Sequence, residues 1–247
     1  DTFMWWIINS SDRVVVAAML GTAANGLLAV AYKLPSIVTV VSNTFTQAWS
    51  YSAIHEEDSE DRDAFTSSVF NKLVLVSGLL TAVLLALIEP VTRVYVSPDY
   101  AVAWKYSTWL LLGNFFLTLG SFLGASYTVH KDSLGYLISG SLGAILNLLI
   151  MLPLVPVVGL YGSVVATCVS YFAVFAFRLW DTRKYVRISV DKKIFSSIGI
   201  LLVLLMVSPL FGGLYLPVSV SAILIAVFLN QKSISYFVGP LKRKFRL

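Results

Sequence analysis

Charge is scarce in this sequence. Only 13% of its 247 residues are Asp, Glu, Lys or Arg, about half the share found in an ordinary soluble domain. With 57% hydrophobic residues and a mean hydropathy of +0.81, a soluble fold is excluded and a polytopic membrane protein is expected. One cysteine, Cys168, excludes a disulfide framework and a thiolate metal site. The two histidines, His55 and His130, begin neither an HxxxD nor an HxxxxD arrangement. No GxSxG elbow, Walker loop or HExxH pair is present. Carboxylates cluster only in HEEDSEDRD, residues 55–63, which reads as a solvated connection. His55 beside those acids leaves a metal site open, but no ligand spacing specifies one. No catalytic residue, metal or cofactor is therefore expected, and the chain is not read as an enzyme. The net charge of +5 does not point to nucleic acid, because the cations sit at segment ends and in the tail, where membrane orientation accounts for them.

Long apolar runs are what the sequence has. Eight can be marked, near 3–21, 26–50, 67–88, 104–127, 134–152, 159–180, 194–212 and 215–230. Each is close to the length a helix needs to cross a bilayer and far longer than a barrel strand, so an all-α fold with about eight transmembrane helices is expected. Lys and Arg concentrate in the connection 178–193 and in the tail, both on one side of an even-numbered bundle. That bias places both ends of the chain in the cytoplasm. The chain divides into a six-helix unit at 1–180, a basic connection at 181–193, a two-helix appendix at 194–230 and a basic tail at 231–247 that can touch anionic membrane lipid. The first residue is Asp1, not Met, and no signal-peptide pattern precedes the first span, so an amino-terminal truncation is expected.

Polar residues inside these runs carry the functional signal. Residues 5–21, WWIINSSDRVVVAAMLG, hold Asn9, Asp12 and Arg13 in the middle of an apolar segment. Charge at that depth is costly and usually faces protein or a wet cavity. The second segment carries Lys33 and then Pro35, which removes a backbone donor and predicts a kink. Ser36, Asn43 and Gln47 fall on one helical stripe, as do Asn114, Thr118 and Ser121 in the fourth segment. Small residues at Gly140, Gly143, Ala144, Gly162, Ser163 and Ala166 predict close packing of the fifth and sixth helices, with Asn147 bonding across them.

The stretch WWIINSSDRVVVAAMLGTAANGLLAVAYKLPSIVTVVSNTFTQAWSYSAI contains SDR at Ser11, Asp12 and Arg13, then LG at Leu20 and Gly21. NGLLAVAYKLP follows at 25–35 and FTQAWS at 45–50. These features resemble the start of the carboxy-terminal half of bacterial polysaccharide flippases. Those are the Wzx-type O-antigen and capsule-repeat transporters of the multidrug/oligosaccharidyl-lipid/polysaccharide exporter superfamily. Beyond the first fifty residues the resemblance rests on span count and loop character. It implies a MATE-like six-helix lobe plus two extra helices, in the bacterial inner membrane. The amino-terminal lobe would be a missing partner of the same protein, and a polysaccharide polymerase a possible second partner. The implied activity moves an undecaprenyl-diphosphate-linked oligosaccharide to the outer leaflet by alternating access.

Such cargo needs a polar, cationic cavity through about 30 Å of hydrocarbon. Arg13 and Lys33 are the basic residues deep in the expected spans, and either can offset a diphosphate. Asp12 can balance Arg13 or join in cation coupling, and Asn43 and Gln47 can bond sugar hydroxyls. Simpler roles stay open: Asp12 and Arg13, about 100° apart on a helix, can each fix packing with a neighbour, and Lys33 can snorkel to the surface. A cation-coupled multidrug exporter of the same fold is the nearest rival, although two deep cations against one acid favour anionic cargo. A membrane-embedded envelope transferase or a non-transporting assembly subunit are further alternatives.

Overall fold

A computed structural model describes the backbone of residues 2–57, 59–208 and 215–231, with side chains from Ser10 onward except that of Tyr215. Asp58 in the acidic run, residues 209–214 and the basic tail from residue 232 lie outside the described residues, as does the side chain of Asn9. No strand occurs among the described residues. The helices are α1 (Thr2–Leu20), α2 (Thr22–Ala31), α3 (Lys33–His55), α4 (Arg62–Tyr95), α5 (Ala103–Val129), α6 (Ser133–Val158), α7 (Leu160–Asp181), α8 (Lys192–Val207) and α9 (Tyr215–Leu229). Each expected apolar segment coincides with one helix, except the second, which is the pair α2–α3.

The protein is membrane-embedded by the character of these helices. Among the described residues α4, α5, α6 and α7 are long and apolar enough to cross a bilayer, and the α2–α3 pair makes a fifth if counted as one bent span. The 16 residues of α8 and 15 of α9 are shorter, reaching about 24 and 22 Å against a core of about 30 Å.

Helix α5 is central, packed on α3, α4 and α7, with α6 along α7 and α1 against α6 and α2. Its core contact is aromatic: Phe122 stacks on Trp49 of α3 at 4.4 Å between ring centres and meets Phe70 of α4 at 5.5 Å. Helix α8 lies along α4, where Ile198 fills the space left by Gly78. Ile194, Ile198 and Leu201 thereby join the same buried cluster as Phe70 and Phe122.

Two joints differ from the expected connections. The stretch 153–158 is not a loop: α6 runs through Pro153 and Pro156 to Val158, and the turn is the single residue Gly159, with φ of 63°. Likewise α1 meets α2 at Gly21 alone, with φ of 86°, rather than across 22–25. Both conformations are ones only glycine takes readily, so one residue reverses or redirects a whole helix.

The basic connection is stitched to the bundle. Arg62 Nη2 donates to the Tyr185 carbonyl at 2.7 Å, Ser189 N–H donates to Ser67 Oγ at 2.9 Å, and Asn71 bridges Ser189 O and Asp191 N. Asp191 then caps α8 by accepting from Lys193 and Ile194 N–H. At the start of α6, Asp132 accepts from Gly135 N–H, Tyr185 Oη and Lys184 Nζ at 2.8, 2.7 and 3.2 Å. The Gly135 N–H above all, then the Tyr185 hydroxyl, hold the Asp132 carboxyl down at about 2, with Lys184 adding to it. A depressed carboxylate stabilises the fold above its unfolded value near 3.8 and loses that stabilisation as pH falls through about 2. Thermal unfolding between pH 4 and pH 2 should therefore fall more steeply for the wild type than for Asp132→Asn, which lacks the group; parallel slopes would exclude this capping role.

Candidate functional site

The polar centre forms where the second apolar segment breaks. Helices α2 and α3 meet at Tyr32 with a 46° bend. Pro35, in the first turn of α3, has no N–H to give the Ala31 carbonyl. Ser107 of α5 supplies the missing donor, its hydroxyl 2.8 Å from Ala31 O. Further along α5, Asn114 Nδ2 donates to Pro35 O at 2.7 Å and to Thr39 Oγ1 at 3.2 Å, and Thr118 bonds Ser42. The Asn114–Thr118 stripe thus serves the broken backbone of α3, while its third expected member, Ser121, is half-buried.

The break turns Tyr32 toward α1, where its hydroxyl donates to Asp12 Oδ2 at 2.6 Å. Thr167 Oγ1 of α7 donates to the same oxygen at 2.7 Å, and Asn147 Nδ2 of α6 donates to Thr167 at 3.2 Å. Thr167 is also 3.1 Å from the Ser163 carbonyl, but a hydroxyl has a single proton. A charged Asp12 claims it, since hydrogen bonds to an ionised acceptor are the stronger ones.

Asp12 is wholly buried. Its Oδ1, the Asn147 Oδ1 and the Ser163 Oγ are buried without a hydrogen-bond partner. No ion pair to Asp12 occurs among the described residues. A bare carboxylate in such a place costs several kcal/mol (about) unless a proton or cation neutralises it. Four chain segments, α1, the α2–α3 break, α6 and α7, therefore converge on one carboxylate through Tyr32, Thr167 and Asn147. Among the described residues no group of three His, Cys, Asp or Glu is placed to hold a metal; Asp12 is a lone carboxylate that accepts from two hydroxyls.

Arg13 turns the other way. It is exposed and lines the mouth of a cavity of about 350 Å³ with Tyr32, Ser36, Thr39, Asn114 and Tyr171. Tyr32 thus bonds Asp12 through its hydroxyl and also lines this cavity. Asp12 does not pair with Arg13: the roughly 100° between consecutive helical residues puts one inside the bundle and the other outside. Lys33, Asn43 and Gln47 are exposed on one face of α3 with Ser36, but they do not line this cavity. The structure brings together Asp12 and, across Tyr32, Arg13; the other three extend a polar face away from them.

Several residues here are not legible in the sequence as site residues. Thr167 and Ser163 look like small packing residues, and Tyr32 like an interfacial aromatic. Arg178, counted by position among the connection's cations, is fully buried. It donates through Nε to Ser139 Oγ and through Nη1 to Gly120 O, each at 3.0 Å, and lies 4.6 Å over the Tyr136 ring. Gly124 leaves room for it, since a Cβ there would stand 2.7 Å from Nη1. Its Nη2 is buried with no hydrogen-bond partner. The signal available was its spacing: Arg178 continues the buried stripe of Ser163, Thr167, Ser170 and Val174 at helical intervals.

Searches of known protein families and of curated proteins find no match to this chain.

Proposed function

We propose that this chain forms the carboxy-terminal six-helix lobe, with two added helices, of a bacterial inner-membrane flippase for undecaprenyl-diphosphate-linked oligosaccharides. On this reading all eight apolar segments span, both ends face the cytoplasm, and the exported units feed O-antigen, capsule or exopolysaccharide synthesis. The observation that carries it is the exposed Arg13 lining a cavity with Ser36, Thr39 and Asn114, one residue from a carboxylate that is buried and held apart from it. A cation at membrane depth is tolerated where it meets water or an anionic ligand, and a guanidinium fork matches phosphate oxygens. Lys33, Asn43 and Gln47 on the exposed face of α3 would continue the polar wall toward an amino-terminal lobe.

Asp12 takes the role of the coupling site in this scheme. A proton or monovalent cation neutralises Asp12 at Oδ1, the carboxylate oxygen buried without a hydrogen-bond partner. Because Tyr32 bonds Asp12 on one side and lines the cavity on the other, occupancy is sensed at the cargo surface. The same carboxylate favours the rival reading, a cation-coupled drug exporter. Cationic drugs, however, would have to approach across Arg13.

Arg13→Ala in the full-length parent is expected to abolish surface polysaccharide at unchanged membrane levels of the protein, with Arg13→Lys keeping part of it. Normal polysaccharide from Arg13→Ala would remove that residue from the mechanism. Lost resistance to cationic compounds with intact polysaccharide would favour the drug exporter.

A further inference from the structure

A second cavity lies at the end of the bundle that carries the basic connection. It measures about 660 Å³ and is lined by Tyr127, Thr128, Lys131, Ser133, Tyr136 and Leu137, together with Asp132. Lys131 holds a left-handed backbone, φ 55°, and is exposed with no ion pair among the described residues. Tyr136, one wall of the groove, has the buried Arg178 against its ring, and no carboxylate pairs with that guanidinium. The carboxylate in the groove is already engaged, since Asp132 accepts from Gly135 N–H, Tyr185 and Lys184. Asp132 and Asp181, the latter accepting from the Tyr127 hydroxyl, share Lys184, so with Lys131 at the rim and Arg178 behind the wall the groove keeps a single net positive charge.

The groove opens onto an apolar track. Leu134, Leu137, Ile138 and Ile145 are 65%, 49%, 49% and 57% exposed on the outer face of α6. From Leu134 to Ile145 the helix rises about 16 Å, half of a hydrocarbon core of about 30 Å. A cationic cup at one end and one leaflet's length of apolar surface below it match an anionic amphiphile standing upright in the membrane.

We propose that this groove binds a glycerophospholipid with an anionic headgroup. Its phosphate meets Lys131 and the Thr128 and Ser133 hydroxyls, and an acyl chain follows Leu137, Ile138 and Ile145. The headgroup chemistry is that of a phosphodiester beside a lysine, the exposed Lys131 at the rim. The site stands apart from Asp12 and Arg13 and does not depend on what the protein transports.

The test is native mass spectrometry of the purified full chain, titrated with phosphatidylglycerol or phosphatidylcholine of identical acyl chains. Phosphatidylglycerol should be retained preferentially, and Lys131→Glu should weaken its retention about tenfold. Lys193→Glu, an equally exposed charge reversal at the start of α8 outside the groove, should retain it like the wild type. Lys131→Gln gives a milder change should the reversal disturb folding, with a smaller loss in the same direction. Equal retention of the two lipids, or equal losses from Lys131→Glu and Lys193→Glu, would overturn the site in favour of a diffuse surface field.

Discussion

Gly162→Ala is expected to destabilise the protein by about 3 kcal/mol, near the upper end for overpacking a core position. An added Cβ would stand 2.5 Å from Val155 N, 2.7 Å from the Leu154 carbonyl carbon and 2.8 Å from Val155 Cα. All three are backbone atoms of α6, so no side chain can swing away to relieve the contact. The two helices are also joined by the single residue Gly159, which leaves little slack for them to separate. Pro153 and Pro156 flank the contact within α6 and stiffen it further. Gly199→Ala is the matched control, because nothing lies within 4 Å of a Cβ at that position in α8. There the change should be neutral or stabilise by up to about 1 kcal/mol through helix propensity. Thermal unfolding in detergent compares the two, and equal melting temperatures would show that α6 and α7 do not touch at Gly162.

Asp12→Asn is expected to separate stability from function. The amide keeps the shape and still accepts from Tyr32 and Thr167, which bond Oδ2 in the native protein. It removes a buried carboxylate for which the described residues offer no cationic partner. Replacing a buried charge in this way often stabilises, here by about 1–4 kcal/mol. On the proposed function, surface polysaccharide should nevertheless be lost, because nothing remains to be neutralised by a proton or cation. A wild-type melting temperature that rises on adding a monovalent salt of the coupling ion should become salt-independent in the variant. Saturation at a hundred times the dissociation constant corresponds to about 2.7 kcal/mol. A variant less stable than the wild type, or one that still transports, would contradict the role given to Asp12.

The helices were legible in the sequence because each apolar run is long and bounded by polar residues or glycine. Their joints were not. The expected segments leave Pro153 and Pro156 in the connection between them, yet packing of α6 on α7 outweighs the lost hydrogen bonds, and the turn moves to Gly159. The kink expected at Pro35 is present, but the break itself falls at Tyr32, one helical turn earlier, because proline disturbs the carbonyl four residues before it. Asp12 and Arg13 could be singled out together from their cost in a membrane. Which one faces inward depends on Tyr32 and Thr167, residues 20 and 155 positions away, and no local pattern carries that phase. Arg178 shows the same limit: its place near a basic connection suggested a surface cation, and only Gly120, Gly124 and Ser139 on two other helices make room for it inside.

The partners of the α2–α3 break have a mechanical consequence. Ser107 holds the end of α2 through Ala31 O, while Asn114 and Thr118 hold α3. All three belong to α5 and span about 16 Å of it. They act as a splint laid across a fracture, so the bend is a fixed elbow rather than a hinge.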